Sequence, residues 1–318
     1  MKKILILGGT GFVGRHICEK LVRLGWQVTI PSRQPGEAKS LQMLPRVELV
    51  QANVHDLAAL TRLLPGHDAV VNLVAILHGN EAAFEKAHVA LPRTLVQACQ
   101  ATGIRRVVHI SALGASASGK AMYQRSKAAG EAVLQGGGLN LTVLRPSVIF
   151  GAEDKFMNLF AQLQRIFPVM PLAGGSARLQ PVWVEDIADA VVHCLKNDSG
   201  LSSIYEGCGP DVFTLKQLVQ LAGTLAGCPR PVLDLPLALG RLQALAMELA
   251  PGQPLMSRDN LDALATDNVA SGTLPGLAQL GITAAPLMSI ARGYLGVDAG
   301  GTGPRSALQG LRKTSGRF

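Results

Sequence analysis

The chain has 318 residues, of which 48% are hydrophobic and 16% charged, and its formal net charge is +8. This balance excludes a disordered polymer, and the length suffices for one elaborated α/β domain or for two small domains sharing a cleft. No aromatic-interleaved basic stripe carries the positive charge, so nucleic-acid binding is excluded from the expected functions.

The start, MKKILILGGTGFVG, has a short apolar run before its glycines and no small-residue cleavage site after it, so it reads as a strand and not as a signal peptide. Further strand-like runs follow at QVTIPS (27–32), VELVQA (47–52), AVVNLVAI (69–76), RVVHISA (106–112) and LTVLRP (141–146). Helices are expected near 12–24, 36–43, 56–63, 81–102 and 121–135. Strand and helix alternate in this way in a Rossmann-like, doubly wound parallel sheet. Residues 1–150 are therefore expected to form a nucleotide-binding domain.

After Gly151 proline and glycine become denser and the rhythm weakens. Helices near 154–166, 186–196, 214–227 and 234–249 suggest a smaller, mostly helical substrate-side region over 151–298, with QPVWVEDIADAV (180–191) returning to the main sheet. Residues 299–318 hold Arg305, Arg312, Lys313 and Arg317 with no acid, and read as a disordered tail able to touch anionic lipid headgroups. The apolar stretch 232–250 is interrupted by Asp234, Pro236, Arg241 and Glu248, so it is read as a helix of the smaller region or a monotopic, quinone-facing element. The five cysteines form no CxxC pair and the seven histidines show no metal-like spacing; reduced core thiols and no metal are expected.

GGTGFVG (8–14) directly follows the first strand and opens a helix. In that register Gly8 serves the tight turn, Gly11 the close approach of a pyrophosphate and Gly14 the packing of helix on strand, while Thr10, Phe12 and Val13 lie along the phosphate path. The second strand ends at Ser32-Arg33, where an NAD site presents an acid. Arg33 can stack on adenine and pair with a 2′-phosphate, so NADP(H) is preferred, with NAD(H) as the alternative. Asn53, Val54 and Asp56 are placed at the adenine edge, and Val74 and Ala75 beneath the nicotinamide ribose.

Tyr123 and Lys127 in YQRSK share one helix face at i, i+4. An ammonium beside the phenol can draw its pKa towards the working range, and the lysine can also hold ribose hydroxyls. The pair is thus either a proton-transfer device or a cofactor clamp. Ser111 ends the fifth strand, where a hydroxyl can polarise a substrate carbonyl.

GGTGFVG, YQRSK and LRPSVIFG ending at Gly151 together resemble the extended and atypical short-chain dehydrogenase/reductase superfamily (SDR) over about residues 1–295. SR at 32–33, VHISALGA at 108–115, YQRSKAAGE at 123–131, FGAEDKFMNLFA at 150–161 and QPVWVEDIADA at 180–190 are similar to the branch of the SDR-like accessory subunit of respiratory complex I and its bacterial relatives. The resemblance implies NADP(H), a Rossmann-like sheet, a link to quinone or respiratory-membrane biology, and a cytoplasmic protein at the inner face of the membrane. It also implies Tyr123, Lys127 and Ser111 as the catalytic set and Pro146 at the cofactor. Two departures weaken the implied activity: Ser111 is followed by Ala112 and Leu113 instead of further hydroxyls, and the loop to Tyr123 is short. Ser116 and Ser118 read first as flexible loop.

His88 stands where many SDRs carry a structural asparagine and is expected to bridge to backbone. Arg178 is a candidate anchor for an anionic substrate. Two functions follow: a weakly active NADP(H)-holding module docked on a respiratory or quinone-biosynthesis assembly, or an NADPH-dependent reductase or epimerase acting on a quinone-like or other hydrophobic carbonyl, or on a nucleotide sugar.

Overall fold

The computed structural model of the chain describes residues 1–197, 203–249 and 254–296. The basic tail expected at 299–318 lies outside the described residues. Two compact units are formed, one from Met1–Pro146, Val184–Gly207 and Ala270–Ala284, the other from Ser147–Trp183, Cys208–Val269 and the chain from Ala285.

In the first unit β1 (Lys3–Leu7), β2 (Gln27–Ser32), β3 (Val47–Gln51), β4 (Ala69–Asn72), β5 (Arg106–Ile110) and β6 (Asn140–Pro146) join the strand Ser203–Gly207 in one seven-stranded sheet. Its order is Ser203–Gly207, β6, β5, β4, β1, β2, β3, and every neighbouring pair is parallel. Because helices must cover both faces of such a sheet, its inner strands β1, β4 and β5 are largely apolar and buried. Ile4, Leu5, Ile6 and Leu7 are all fully buried, each stabilising by about 1.5–3 kcal/mol. The order reverses at β1, which pairs with both β2 and β4. Ligands of open α/β sheets bind at this switch point, outside the carboxyl ends of the strands.

The helices here are α1 (Phe12–Arg23), α2 (Lys39–Gln42), α3 (Leu57–Leu63), α4 (Glu81–Glu85), α5 (Leu91–Thr102) and α6 (Met122–Gln135), with a π-helical turn at Lys86–Ala90 between α4 and α5. The helix Val184–Lys196 packs on α1, where Lys20 Nζ lies 2.8 Å from both Glu185 and Asp189.

Three elements depart from expectation. The helix near 36–43 is only a 3-10 turn at Pro35–Glu37 followed by the single turn α2, since proline and glycine at 35–36 interrupt the ladder. β4 stops at Asn72 instead of Ile76, because the Asn72 side chain accepts from the Val74 N–H at 3.2 Å and turns the chain out of the sheet. Residues 180–191 do not return to the main sheet as a strand. Val182–Trp183 pairs instead with Ile149–Phe150, and the seventh strand is Ser203–Gly207, whose register on β6 runs from Ser203 opposite Thr142 to Gly207 opposite Pro146.

The second unit is helical with short two-stranded pairings, around a core that includes Phe150, Met157, Leu172, Leu218 and Leu287. Two of its buried polar side chains are well matched: Gln164 Nε2 donates to the Val219 carbonyl at 2.7 Å and its Oε1 accepts from the Arg230 N–H. Asp154 accepts from the N–H groups of Gly151, Phe156 and Asn158 and from the Tyr294 hydroxyl. The helix Leu237–Leu249 buries Gly240 and Ala244 and exposes Leu237, Leu239, Leu242 and Leu249. A Cβ on Gly240 would stand 2.3 Å from that of Ala173, so its inner face is a close contact of small residues. Among the described residues no helix is long and apolar enough to cross a membrane.

Candidate functional site

The loop after β1 is built so that backbone, not side chain, faces the ligand space. Gly8 has φ +80, which a side chain rarely adopts, and a Cβ on Gly14 would lie 2.5 Å from the Gly9 carbonyl oxygen. The Gly11 N–H turns back to the Gly8 carbonyl at 3.1 Å, and Gly11 then starts α1 with no side-chain cap and no acid in the first turn. Uncapped amides and the positive dipole end are what a pyrophosphate requires. Thr10 and Val13 border this turn, the Thr10 carbonyl receiving Arg15 Nε at 3.3 Å, and Phe12 packs edge-on against His16.

At the next strand end the Ser32 hydroxyl accepts from the Gln34 N–H, and Arg33 is exposed. The loop after β3 is drawn beside it, because the Ala52 N–H donates to the Ser32 carbonyl at 3.0 Å. Asn53 shapes that loop by accepting from the His55 N–H, while Val54 packs into the core. His55 is held below its ordinary range by burial and then by the charges of Lys86 and Arg33. Asp56 is committed to α3, where it accepts from Ala58 and Ala59.

The third wall is the run after β4. Val74 is partly buried against the core and Ala75 is exposed. The Ile76 N–H donates to His88 Nε2 at 3.0 Å, and His88 Nδ1 lies 2.8 Å from Ser126 Oγ. Both ring nitrogens are thereby engaged within the protein. Burial, followed by the Lys127 charge, pushes His88 down to about 3.

Tyr123 and Lys127 do share a face of α6. Lys127 is 2% exposed, and its Nζ donates to the Ile110 carbonyl at 2.9 Å. Burial lowers it to about 8, against the opposing pull of Glu131. Tyr123 stands edge-on to His88 at 5.6 Å between ring centroids, and burial raises its phenol to about 12. Both shifts favour the neutral forms. Ser111, one residue beyond β5, is buried, and its Oγ has no hydrogen-bond partner among the described residues. An unpaired buried hydroxyl costs about 1–3 kcal/mol, a cost that a hydrogen bond to a ligand atom would relieve. Pro146 closes β6, its carbonyl receiving the Leu113 N–H at 2.8 Å.

Residues that the motifs did not single out complete the support. Glu131, one turn beyond Lys127 and 2% exposed, holds Arg145 through two carboxylate oxygens, Nε donating at 3.0 and 3.2 Å. On adjacent strands Asn72 lies opposite His109, and its amide nitrogen is 3.2 Å from His109 Nδ1. His109 is kept neutral by burial and then by Lys127. The spacing of Glu131 from Lys127 was available in the sequence; the pairing of Asn72 with His109 required the sheet register. Ser116 and Ser118 satisfy one another at 3.1 Å in an exposed loop. Arg178 belongs to the second unit, where its guanidinium pairs with Asp267 at 2.7 Å.

A dinucleotide fits these residues on three counts: a cradle that a Cβ would fill, amides left open at a helix start, and an orphaned buried hydroxyl. The sequence profile of the NAD dependent epimerase/dehydratase family matches residues 4–206. The chain is 31% identical over 284 residues to NADH dehydrogenase [ubiquinone] 1 alpha subcomplex subunit 9, mitochondrial, of Arabidopsis thaliana, covering 84% of this chain and 70% of that one. It is 27% identical to a ceramide reductase of Caulobacter vibrioides, covering 73% of each. An enzyme of Bordetella bronchiseptica in complex with NAD+ superposes with a TM-score of 0.70 at 18% identity, over 94% of this chain and 98% of that one, a likeness of fold. NAD(P) is the dinucleotide typical of such proteins, and the chain belongs to the NAD dependent epimerase/dehydratase family.

Proposed function

We propose that the chain binds NADP(H) and serves a respiratory-complex or ubiquinone-related assembly, with weak or specialised catalysis. The observation that carries this reading is the state of the Tyr123–Lys127 pair. With the phenol raised to about 12 and the lysine lowered to about 8, the lysine is still an ammonium at neutral pH but the phenol stays protonated, so the phenolate of an active phenolate–ammonium couple is disfavoured. In this reading Lys127 holds ribose and the glycine turn holds the phosphates, which the uncapped start of α1 supports. Arg33, exposed at the end of β2 in place of an acid, supports the preference for a 2′-phosphate. Similarity to the mitochondrial NADH dehydrogenase subunit supports the assembly. The exposed leucines of Leu237–Leu249 are the surface expected to be covered in such an assembly.

A second reading, an NADPH-dependent reductase of a hydrophobic carbonyl, is favoured by the unpartnered Ser111 hydroxyl and by the likeness to a ceramide reductase. A bound NADPH would supply the hydride. In that case the Ser111 hydroxyl would donate a hydrogen bond to the carbonyl oxygen and keep its proton, and the Tyr123 phenol would supply the one proton that this oxygen takes up as the hydride reaches the carbon.

One experiment separates the two. The protein is purified, its retained nucleotide is identified by mass spectrometry, and hydride exchange with quinone-like and long-chain carbonyl probes is compared between wild type and Tyr123→Phe. A retained NADP(H) with no phenol-dependent exchange is the expected result. Exchange that disappears in Tyr123→Phe would overturn it in favour of the reductase, and retention of NAD(H) alone would refute the role given to Arg33.

A further inference from the structure

We infer that His88, in its Nδ1-protonated tautomer, is a positioning residue that ties the loop after β4 to the helix carrying Tyr123 and Lys127. Its functional consequence rests on the dinucleotide reading above; its geometry does not. The Ile76 N–H can only donate, so Nε2, 3.0 Å away, must accept. The single ring proton is then on Nδ1 and is directed at Ser126 Oγ, 2.8 Å away. With that oxygen accepting, the Ser126 hydroxyl donates to the Tyr123 carbonyl at 2.9 Å. Three hydrogen bonds thus run in one direction, from the loop at residue 76 to the backbone of the tyrosine itself.

The surroundings are shaped to hold this chain. His88 sits in the π-helical turn Lys86–Ala90, a wider turn that occurs often at functional sites. Its carbonyl approaches α6 so closely that a Cβ on Gly130 would lie 2.0 Å from the oxygen. Phe84 at 5.5 Å and Tyr123 at 5.6 Å flank the ring. The chain ends on a peptide carbonyl, which has no proton to hand on. Burial and the Lys127 charge, which push the imidazole down to about 3, keep it from gaining a second proton near neutral pH. His88 therefore orients and does not relay. A change at the loop that floors the nicotinamide ribose is transmitted to Tyr123 through it.

Two measurements test this. Long-range 1H–15N correlation spectra of the full chain, with the His88 signals assigned by their loss in His88→Gln, are expected to show the Nδ1–H tautomer from pH 5 to 8. An Nε2–H tautomer, or protonation within that range, would overturn the inference. In binding assays His88→Phe is expected to weaken NADPH by about tenfold while 2′,5′-ADP, which lacks the nicotinamide half, stays within about twofold, and His88→Gln, with one donor and one acceptor, recovers most of the loss. Equal weakening of both ligands would overturn the positioning role, since it marks general damage to the fold. A wild-type chain that binds neither nucleotide would sink the dinucleotide reading, while the spectra still decide the tautomer.

Discussion

Replacing Lys127 by methionine separates the cost of the site from its use. The lysine is lowered from 10.5 to about 8, a shift of about 2.5 units at 1.36 kcal/mol each, so its burial costs folding about 3 kcal/mol. Below about pH 8 the lysine is protonated in both states and the cost applies in full. Between about pH 8 and 10.5 the folded chain has released the proton while the unfolded chain retains it, so stability rises with pH. Above 10.5 the cost is gone. Methionine fills similar space without the charge, but gives up the bond to the Ile110 carbonyl, worth about 1–1.5 kcal/mol. Lys127→Met is therefore expected to be more stable than wild type by about 1–2 kcal/mol at pH 7, and less stable by about 1 kcal/mol above pH 10.5. Urea unfolding of both proteins at steps from pH 7 to 10.5 reads the difference, in which titration of the other groups cancels. A difference that does not vary with pH, or a variant weaker at pH 7, would refute the reasoning. The same variant is expected to bind NADP(H) more weakly, because the group proposed to hold ribose is gone.

Four further outcomes follow from the same contacts. Ser111→Ala removes a buried hydroxyl without a partner, so calorimetry is expected to show a gain of about 1 kcal/mol; a loss of that size would mean that the hydroxyl is already satisfied. Glu131→Gln leaves Arg145 without its carboxylate and is expected to cost about 3–5 kcal/mol by urea unfolding, with Arg145→Met in the Glu131→Gln background recovering part of it. Gly130→Ala drives a Cβ into the His88 carbonyl and is expected to cost at least about 1–3 kcal/mol, whereas Gly293→Ala, with nothing near its Cβ, is expected to be neutral or mildly stabilising; similar losses at both positions would contradict the close approach of α6. Arg33→Ala is expected to reduce NADP(H) affinity by about tenfold or more and leave NAD(H) affinity within about twofold, measured by calorimetric titration, and an equal effect on both would remove the 2′-phosphate contact.

The sheet was legible because a parallel sheet buries both faces of its inner strands, so β1, β2 and β5 stand out as apolar runs between glycine and polar turns. The glycine turn was legible for a related reason: φ +80 at Gly8 and a 2.5 Å clash at Gly14 are demands that glycine alone meets. Where local rules stopped, so did the sequence. Proline and glycine at 35–36 shortened an expected helix, and β4 ended early because one asparagine side chain met a backbone amide two residues on.

By itself, the sequence determined the fold class, the place of the glycine turn and the pairing of Tyr123 with Lys127 on one helix face, the last two set by contacts within a few residues. Only the tertiary structure decided the direction of the two ionisations, the solitude of the Ser111 hydroxyl, the commitment of both His88 nitrogens and the pairing of Arg178 with Asp267. The physical reason is that desolvation and hydrogen-bond partners are supplied by residues distant in the chain, and the charge state of a buried group follows from those neighbours and not from its motif.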